Sequence, residues 1–352
     1  MKTLLRLLLK SQHQRNPSGQ PQTDKGMTLV ELLVGSIMAF LIITPMLGFV
    51  VDMLNTDRRE QVKSNTEQDL QAAVDFIAQD LSQAIYIYDN KAINNGANAI
   101  RSMLPEPADI QNKIPILVFW KRQQIKNSVP INPTVNAKPN TCKDYPGQCN
   151  DTYVLSLVAY YQVKETDLNS TWCQPSGGNC PTRIARYEIR DGVKNPSTLA
   201  YYTDAETELG QRKHPAFNAN FQISKPTENV TTPPTTTASN FNDPEVLVNY
   251  IDHSSTNVPI PIGDQCKDFL GVTAPPPPAT FNASDLLITD TSSTSAHSFY
   301  ACVDTSKNIA RVTIRGNSLR RIQTDYADYD AKKAAYFPTA SVQVQGLGAR
   351  GR

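Results

Sequence analysis

Lys25-Gly26-Met27-Thr28-Leu29-Val30-Glu31-Leu32-Leu33-Val34-Gly35-Ser36 joins a basic, polar leader to an apolar run with one carboxylate near its start. From Leu32 through Val51 there are 20 consecutive residues without a charge. At about 1.5 Å per residue, a helix of that length covers the roughly 30 Å hydrocarbon core of a bilayer. Glu31 is the exception, because an acidic side chain in a membrane helix costs on the order of a few kcal/mol. It needs either a compensating charge or access to interfacial water at the helix end.

Outward from this stretch, charge sets the expected orientation. The 352-residue chain has a formal net charge of +1. Its first 26 residues carry Lys2, Arg6, Lys10, Arg15 and Lys25 against Asp24, leaving 29 basic and 32 acidic residues in the rest. Basic residues ahead of an apolar span favour a cytoplasmic N-terminal end, with everything after Asp52 exported. The remainder is slightly acidic, so bulk charge gives no reason to expect a nucleic acid partner. All six cysteines (Cys142, Cys149, Cys173, Cys180, Cys266 and Cys302) fall in the exported part, and an even number in an oxidising space reads as disulfides. None forms a C-x-x-C pair, which weakens a zinc reading. Short loop closure favours Cys142 with Cys149 and Cys173 with Cys180, leaving Cys266 for Cys302.

A secretory signal places its apolar stretch before the cleavage point, whereas here the apolar helix follows Gly26. A glycine lets the backbone lie extended and close against a peptidase. An uncleaved single-pass anchor is the plain alternative. Gly26-Met27-Thr28-Leu29-Val30-Glu31-Leu32-Leu33-Val34 resembles the class III signal of type IV pilins and type II secretion pseudopilins. The resemblance covers only the leader and the helix. It implies that a prepilin peptidase cuts between Gly26 and Met27 and methylates the new amino terminus at Met27. Met27 departs from the phenylalanine common in major pilins. It also implies that Glu31 meets the charged amino terminus of a neighbouring subunit, which would supply the missing compensation.

Gly35, Ser36 and Ala39 are small residues that let helices approach closely. Pro45 and Gly48 predict a kink or a short melted segment between about Leu41 and Gly48. After Asp52 the run turns amphipathic without a loop signal. Leu70, Val74, Ile77, Leu81 and Ile85 recur at helical spacing, with Ala73, Ala84 and Tyr88 on the same side, and predict one apolar stripe against a globular head. Asp69, Asp75, Gln79, Asp80 and Gln83 are assigned to the outward face, and Asp57 to Asn65 to an exposed neck. The helix is expected from Met27 to about Tyr88. Thr56-Asp57-Arg58-Arg59-Glu60-Gln61-Val62 and the segment Leu70 to Ile77 resemble minor pseudopilins of cyanobacterial hormogonium polysaccharide secretion. They resemble the larger minor pilins more loosely.

Beyond Asn90, strand-like runs are expected at 114–120, 153–163, 183–190, 246–251, 298–303, 309–315 and 341–344. In 183–190, Ala185, Tyr187 and Ile189 alternate with Arg186, Glu188 and Arg190, and read as a half-buried strand. The Thr/Pro-rich stretch 225–240 and the prolines Pro275 to Pro278 read as extended loops within a single head rather than as linkers. The expected class is α+β, similar to a type IV pilin, with a long N-terminal helix packed on one antiparallel β-rich sheet. Its expected parts are a cleaved leader at 1–26, a transmembrane and assembly helix at 27–54, an amphipathic helix at 55–90 and the head at 91–352.

Chemistry-bearing patterns are thin. His13, His214, His253 and His297 lack metal-ligand spacing, and no nucleophile elbow, Walker loop or Rossmann glycine pattern occurs. Asp325, Asp328 and Asp330 form an acidic patch without the glycine turn or bidentate glutamate of a calcium loop, and read as a solvated loop. Tyr86, Tyr88, Tyr160, Tyr161, Tyr201 and Tyr202 read as core and strand residues rather than sugar contacts. The expectation is a non-enzymatic filament subunit with no cofactor or resident metal. The resemblance gives it these partners: other pilin or pseudopilin subunits, prepilin peptidase, an inner-membrane assembly platform, membrane lipid and exported polysaccharide. It implies an inner-membrane protein with its head in the periplasm, moving to a filament or the cell surface on assembly, in service of polysaccharide secretion or motility. The competing expectation is a membrane-tethered exported binding protein or enzyme that does not polymerise.

Overall fold

Thr28 opens the first helix among the described residues. Its Oγ1 accepts from the Glu31 N–H at 3.3 Å and donates to Glu31 Oε2 at 3.4 Å, a reciprocal cap that satisfies groups left over at a helix start. The computed structural model describes residues 28–94, 99–104, 112–132, 136–217, 244–273, 282–292 and 295–348. Gly26, Met27 and the stretches 225–240 and 274–280 lie outside the described residues. The chain divides into two compact units at Asp57/Arg58. Helix α1 (Leu29–Ser82) is a single element of 54 residues. It is unbroken at Pro45 and Gly48, so the melted segment expected there is not present. A proline removes one ladder hydrogen bond, and the bonds on either side hold the helix together.

In the unit from Arg58 onward, α1 presents Leu70, Ala73, Val74, Ile77 and Leu81 to the core, as their spacing predicts. Two expectations at the end of this helix are corrected. First, α1 stops at Ser82, and Ala84–Ile87 is strand β1, paired antiparallel with the next strand. Ile85, Tyr86 and Ile87 are β-branched or aromatic and favour a pleated surface, and the edge of a sheet lies within reach. Second, Asp80 is buried rather than outward, because it stands three residues after Ile77 and therefore on the stripe.

Antiparallel strands β1, β2 (Lys113–Pro130), β3 (Cys149–Lys164), β4 (Thr182–Arg190) and β5 (Glu245–Ile251) form a sheet in chain order. A second antiparallel sheet contains β6 (Leu287–Ile288), β7 (Phe299–Asp304), β8 (Ile309–Arg315) and β9 (Thr339–Gln345). The single sheet expected from sequence is thus two. They are joined by an isolated bridge between Ile251 and Gly316 and by the Asp252 N–H, which donates to Arg315 O. One core serves both sheets and α1, with Phe119, Tyr160 and Tyr161 from the first and Phe299, Val312 and Ile314 from the second. A Cβ on Gly316 would lie 2.8 Å from Thr66 Cγ2 and 3.0 Å from Leu70 Cδ1, so α1 docks against a position that tolerates only glycine without movement.

Helix α2 (Asn90–Asn94) follows β1, and helix α3 (Gly263–Leu270) lies over the second sheet. Cys266 of α3 is bonded to Cys302 of β7, and the other two disulfides are Cys142–Cys149 and Cys173–Cys180. This is the pairing that short loop closure favours.

Candidate functional site

The apolar half of α1 is the first candidate. Between Leu29 and Leu54 its large side chains are all exposed, from Val50 at 48% to Leu29 at 85%. It is one helix long and apolar enough to cross a membrane. Contiguous exposed apolar surface on this scale is of the kind that marks a membrane or interaction segment. Among the described residues, Glu31 in the first turn of α1 is the one charged side chain before Asp52, exposed apart from its cap with Thr28.

The second candidate is the joint between α1 and the sheet. Asp80 Oδ1 accepts from Lys121 Nζ at 2.9 Å, and Oδ2 accepts from Arg186 Nε at 2.8 Å and from the Tyr160 hydroxyl at 2.7 Å. Arg186 Nη2 continues to Glu188 Oε2 at 2.8 Å, and Glu188 Oε1 lies 3.1 Å from Arg190 Nη2 and 3.8 Å from Lys121 Nζ. The Arg186 guanidinium also stands 5.7 Å from the centre of the Phe76 ring. Arg186, Glu188 and Arg190 were expected on the exposed face of β4, but Arg186 is buried and Glu188 nearly so, because α1 covers that face. Lower on α1, Asp69 pairs with Arg321.

Burial pushes the Glu188 carboxyl up, yet Lys121, Arg186 and Arg190 together outweigh it and hold the group at about 2. Asp80 follows the same pattern: burial raises it, and Arg186 and Lys121 lower it further than burial raises it. A carboxyl held below its unfolded value contributes stability above that value and loses it as pH falls through the folded one. The protein should therefore lose stability as pH drops from about 4.5 toward about 2. Glu188→Gln should flatten that fall, as read from urea midpoints across the range.

The third candidate is the outer face of the second sheet. A groove of about 420 Å³ runs between α3 and the 331–336 turn, floored by Tyr300, Thr313 and Arg315 and walled by Phe269, Tyr329 and Phe337. Arg315 is already committed there, donating Nε to Asp252 Oδ2 at 3.0 Å and Nη2 to Ala296 O. Beside this region Arg320 is fully buried. It donates Nε to Asn179 O at 2.6 Å and Nη2 to Pro175 O and Gly177 O, filling the loop that Cys173–Cys180 closes.

The acidic patch of the sequence does not converge. Asp328 lies 3.4 Å from His253 Nε2, Asp330 caps the 331–336 turn through the Lys332 N–H, and Asp325 accepts from Thr324. Among the described residues, no group of three His, Cys, Asp or Glu side chains is placed to hold a metal ion. His214 and His297 stand apart, each held down by burial. Tyr88, Tyr160 and Tyr161 are fully buried; Tyr86, Tyr201 and Tyr202 are partly so.

Sequence reading located the apolar helix and the half-cystines. It missed the joint centred on Asp80, although the spacing from Leu70 and Ile77 contained the signal. It also missed Arg320, for which the local sequence offers none. No protein-family model matches the chain, and no curated protein or solved structure matches it either.

Proposed function

We propose that the chain is a minor pilin or pseudopilin, a structural subunit that joins a filament through its apolar helix and carries a disulfide-braced head outside the membrane. One observation carries this reading: a lone carboxylate in the first turn of α1, five residues after Gly26, heading a stretch from Leu32 to Val51 that carries no charge and is exposed throughout. Such a helix needs a bilayer before assembly and other apolar helices after it. Glu31 then finds its counter-charge in the amino terminus of the next subunit, which aligns and licenses addition. The buried ion network fixes the head on the same helix, so force on α1 is delivered to the head.

In this reading the prepilin peptidase cuts after Gly26 and methylates Met27, and an inner-membrane platform extracts the subunit. The cap between Thr28 and Glu31 favours a second reading, in which Glu31 merely starts the helix of a membrane-tethered binding protein. N-terminal sequencing of the protein from its native membrane separates the two. The filament reading expects a first residue of methylated Met27, and an intact leader or a cut elsewhere would overturn it.

A further inference from the structure

β8 lies between β7 and β9, and its register with both is unbroken. Ala310, Val312 and Ile314 enter the core, as do Phe299, Ala301 and Val303 of β7. The alternate residues therefore share the outer face. Tyr300, Thr313 and Ser341 stand opposite one another there, a row of hydroxyls across three strands. Arg311 and Gln343 are opposed on one side of that row, and Arg315 and Thr339 on the other. Tyr300 and Thr313 floor the groove of about 420 Å³ beside α3.

Several polar groups of this floor are left unused by the fold. Thr313 is only 8% exposed, yet its hydroxyl has no partner among the described residues. The same holds for Arg315 Nη1, although Nε and Nη2 of that guanidinium are bonded to Asp252 and Ala296. Among the described residues, no carboxylate lines the groove. At its rim the Arg311 guanidinium lies 4.2 Å from the centre of the Phe269 ring and donates Nη2 to Ser341 Oγ at 3.3 Å, while its Nε is buried without a partner. Asp252 offsets the charge of Arg315, whereas no carboxylate among the described residues stands within ion-pair distance of Arg311.

These features select an occupant. Because β8 is paired on both sides, the floor offers no free backbone row to an extended peptide, and its contacts come from side chains. Hydroxyls and guanidinium donors beside aromatic rings match a sugar, which presents an apolar C–H face and a rim of hydroxyls that both donate and accept. The uncompensated guanidinium of Arg311 matches a carboxylate, whose two oxygens fit the arginine fork. A nucleic acid would call for several cations along the groove rather than one. We propose that this groove binds an acidic polysaccharide, with a uronate carboxylate on Arg311 and sugar rings laid over Tyr300 and Thr313 against Phe269. The site lies wholly in the head and goes beyond the filament reading.

The test titrates the full-length chain in detergent, by calorimetry, with a short oligogalacturonate, with its carboxyl-reduced neutral counterpart and with oligoglutamate. Oligogalacturonate should bind, and the reduced form should bind about tenfold more weakly or worse, the worth of one charge-assisted contact. Arg311→Gln should weaken oligogalacturonate by a similar factor and leave the reduced form unchanged, a split that a merely structural role for Arg311 would not produce. Phe269→Ala, at an exposed ring, should weaken both sugars. Failure of oligogalacturonate to bind, equal binding of the reduced form, or equally tight binding of oligoglutamate overturns the proposal. If Arg311→Gln fails to fold, the three probes on the wild-type chain decide alone. Processing at Met27 is unaffected by either outcome, so failure here and failure of the filament reading are distinguishable.

Discussion

Glu31→Ala should leave a processed, membrane-resident protein that is missing from filaments, with at least a tenfold drop in the amount recovered by shearing, roughly 1.4 kcal/mol or more in the assembly equilibrium. A charge pair in an apolar bundle is tolerable only when both members are present, and removing one leaves the other uncompensated. The N-terminal ammonium of the neighbouring subunit would then be stranded in hydrocarbon. Glu31→Gln isolates this effect, because glutamine still serves as the third residue of the cap with Thr28 but carries no charge. It should fail to assemble as completely as the alanine variant. Normal filament incorporation of Glu31→Gln would assign Glu31 to helix capping alone.

Asp80→Ala should destabilise the protein by about 3–5 kcal/mol, because it strips the shared acceptor from Lys121, Arg186 and Tyr160 while leaving the two cations buried. The loss comes from buried cationic charge that Glu188 is left to offset, rather than from the net value of the network. An aliphatic redesign of all the partners would cost far less. Asp75, exposed on the same helix and bonded only to Gln71 among the described residues, provides the control. Asp75→Ala should stay within about 0.5 kcal/mol of wild type. Urea unfolding of the detergent-solubilised chain measures both, and a change below about 1 kcal/mol for Asp80→Ala would contradict the role given to the joint.

Periodicity made much of this fold legible. The alternation in 183–190 identified β4, the strand-like run at 309–315 identified β8, and the stripe from Leu70 to Leu81 identified the docking face of α1. The same periodicity misled at the end of α1, since Leu81, Ile85 and Tyr88 continue a helical spacing that β1 interrupts. A strand of four residues is too short to reveal its own period, and two-residue β6 shows none. Loop length sufficed for the cysteines because two of the pairs are only seven residues apart. Asp80 was assigned by its charge rather than by its position. Its partners lie 41 and 106 residues away, where no local pattern points. Glu31 stands out in the sequence because an acid in an uncharged run announces its own cost, whereas Arg320 is held through Nε and Nη2 by carbonyls of a distant loop and leaves no trace in sequence.

The central claim is that the apolar helix is a processed assembly element rather than a permanent anchor. Mass spectrometry of filaments sheared from intact cells tests it most directly. The account predicts head peptides together with an N-terminal peptide that begins at methylated Met27, and no peptide from residues 1–26. Recovery of the chain only in the membrane, with that leader still attached, would contradict it.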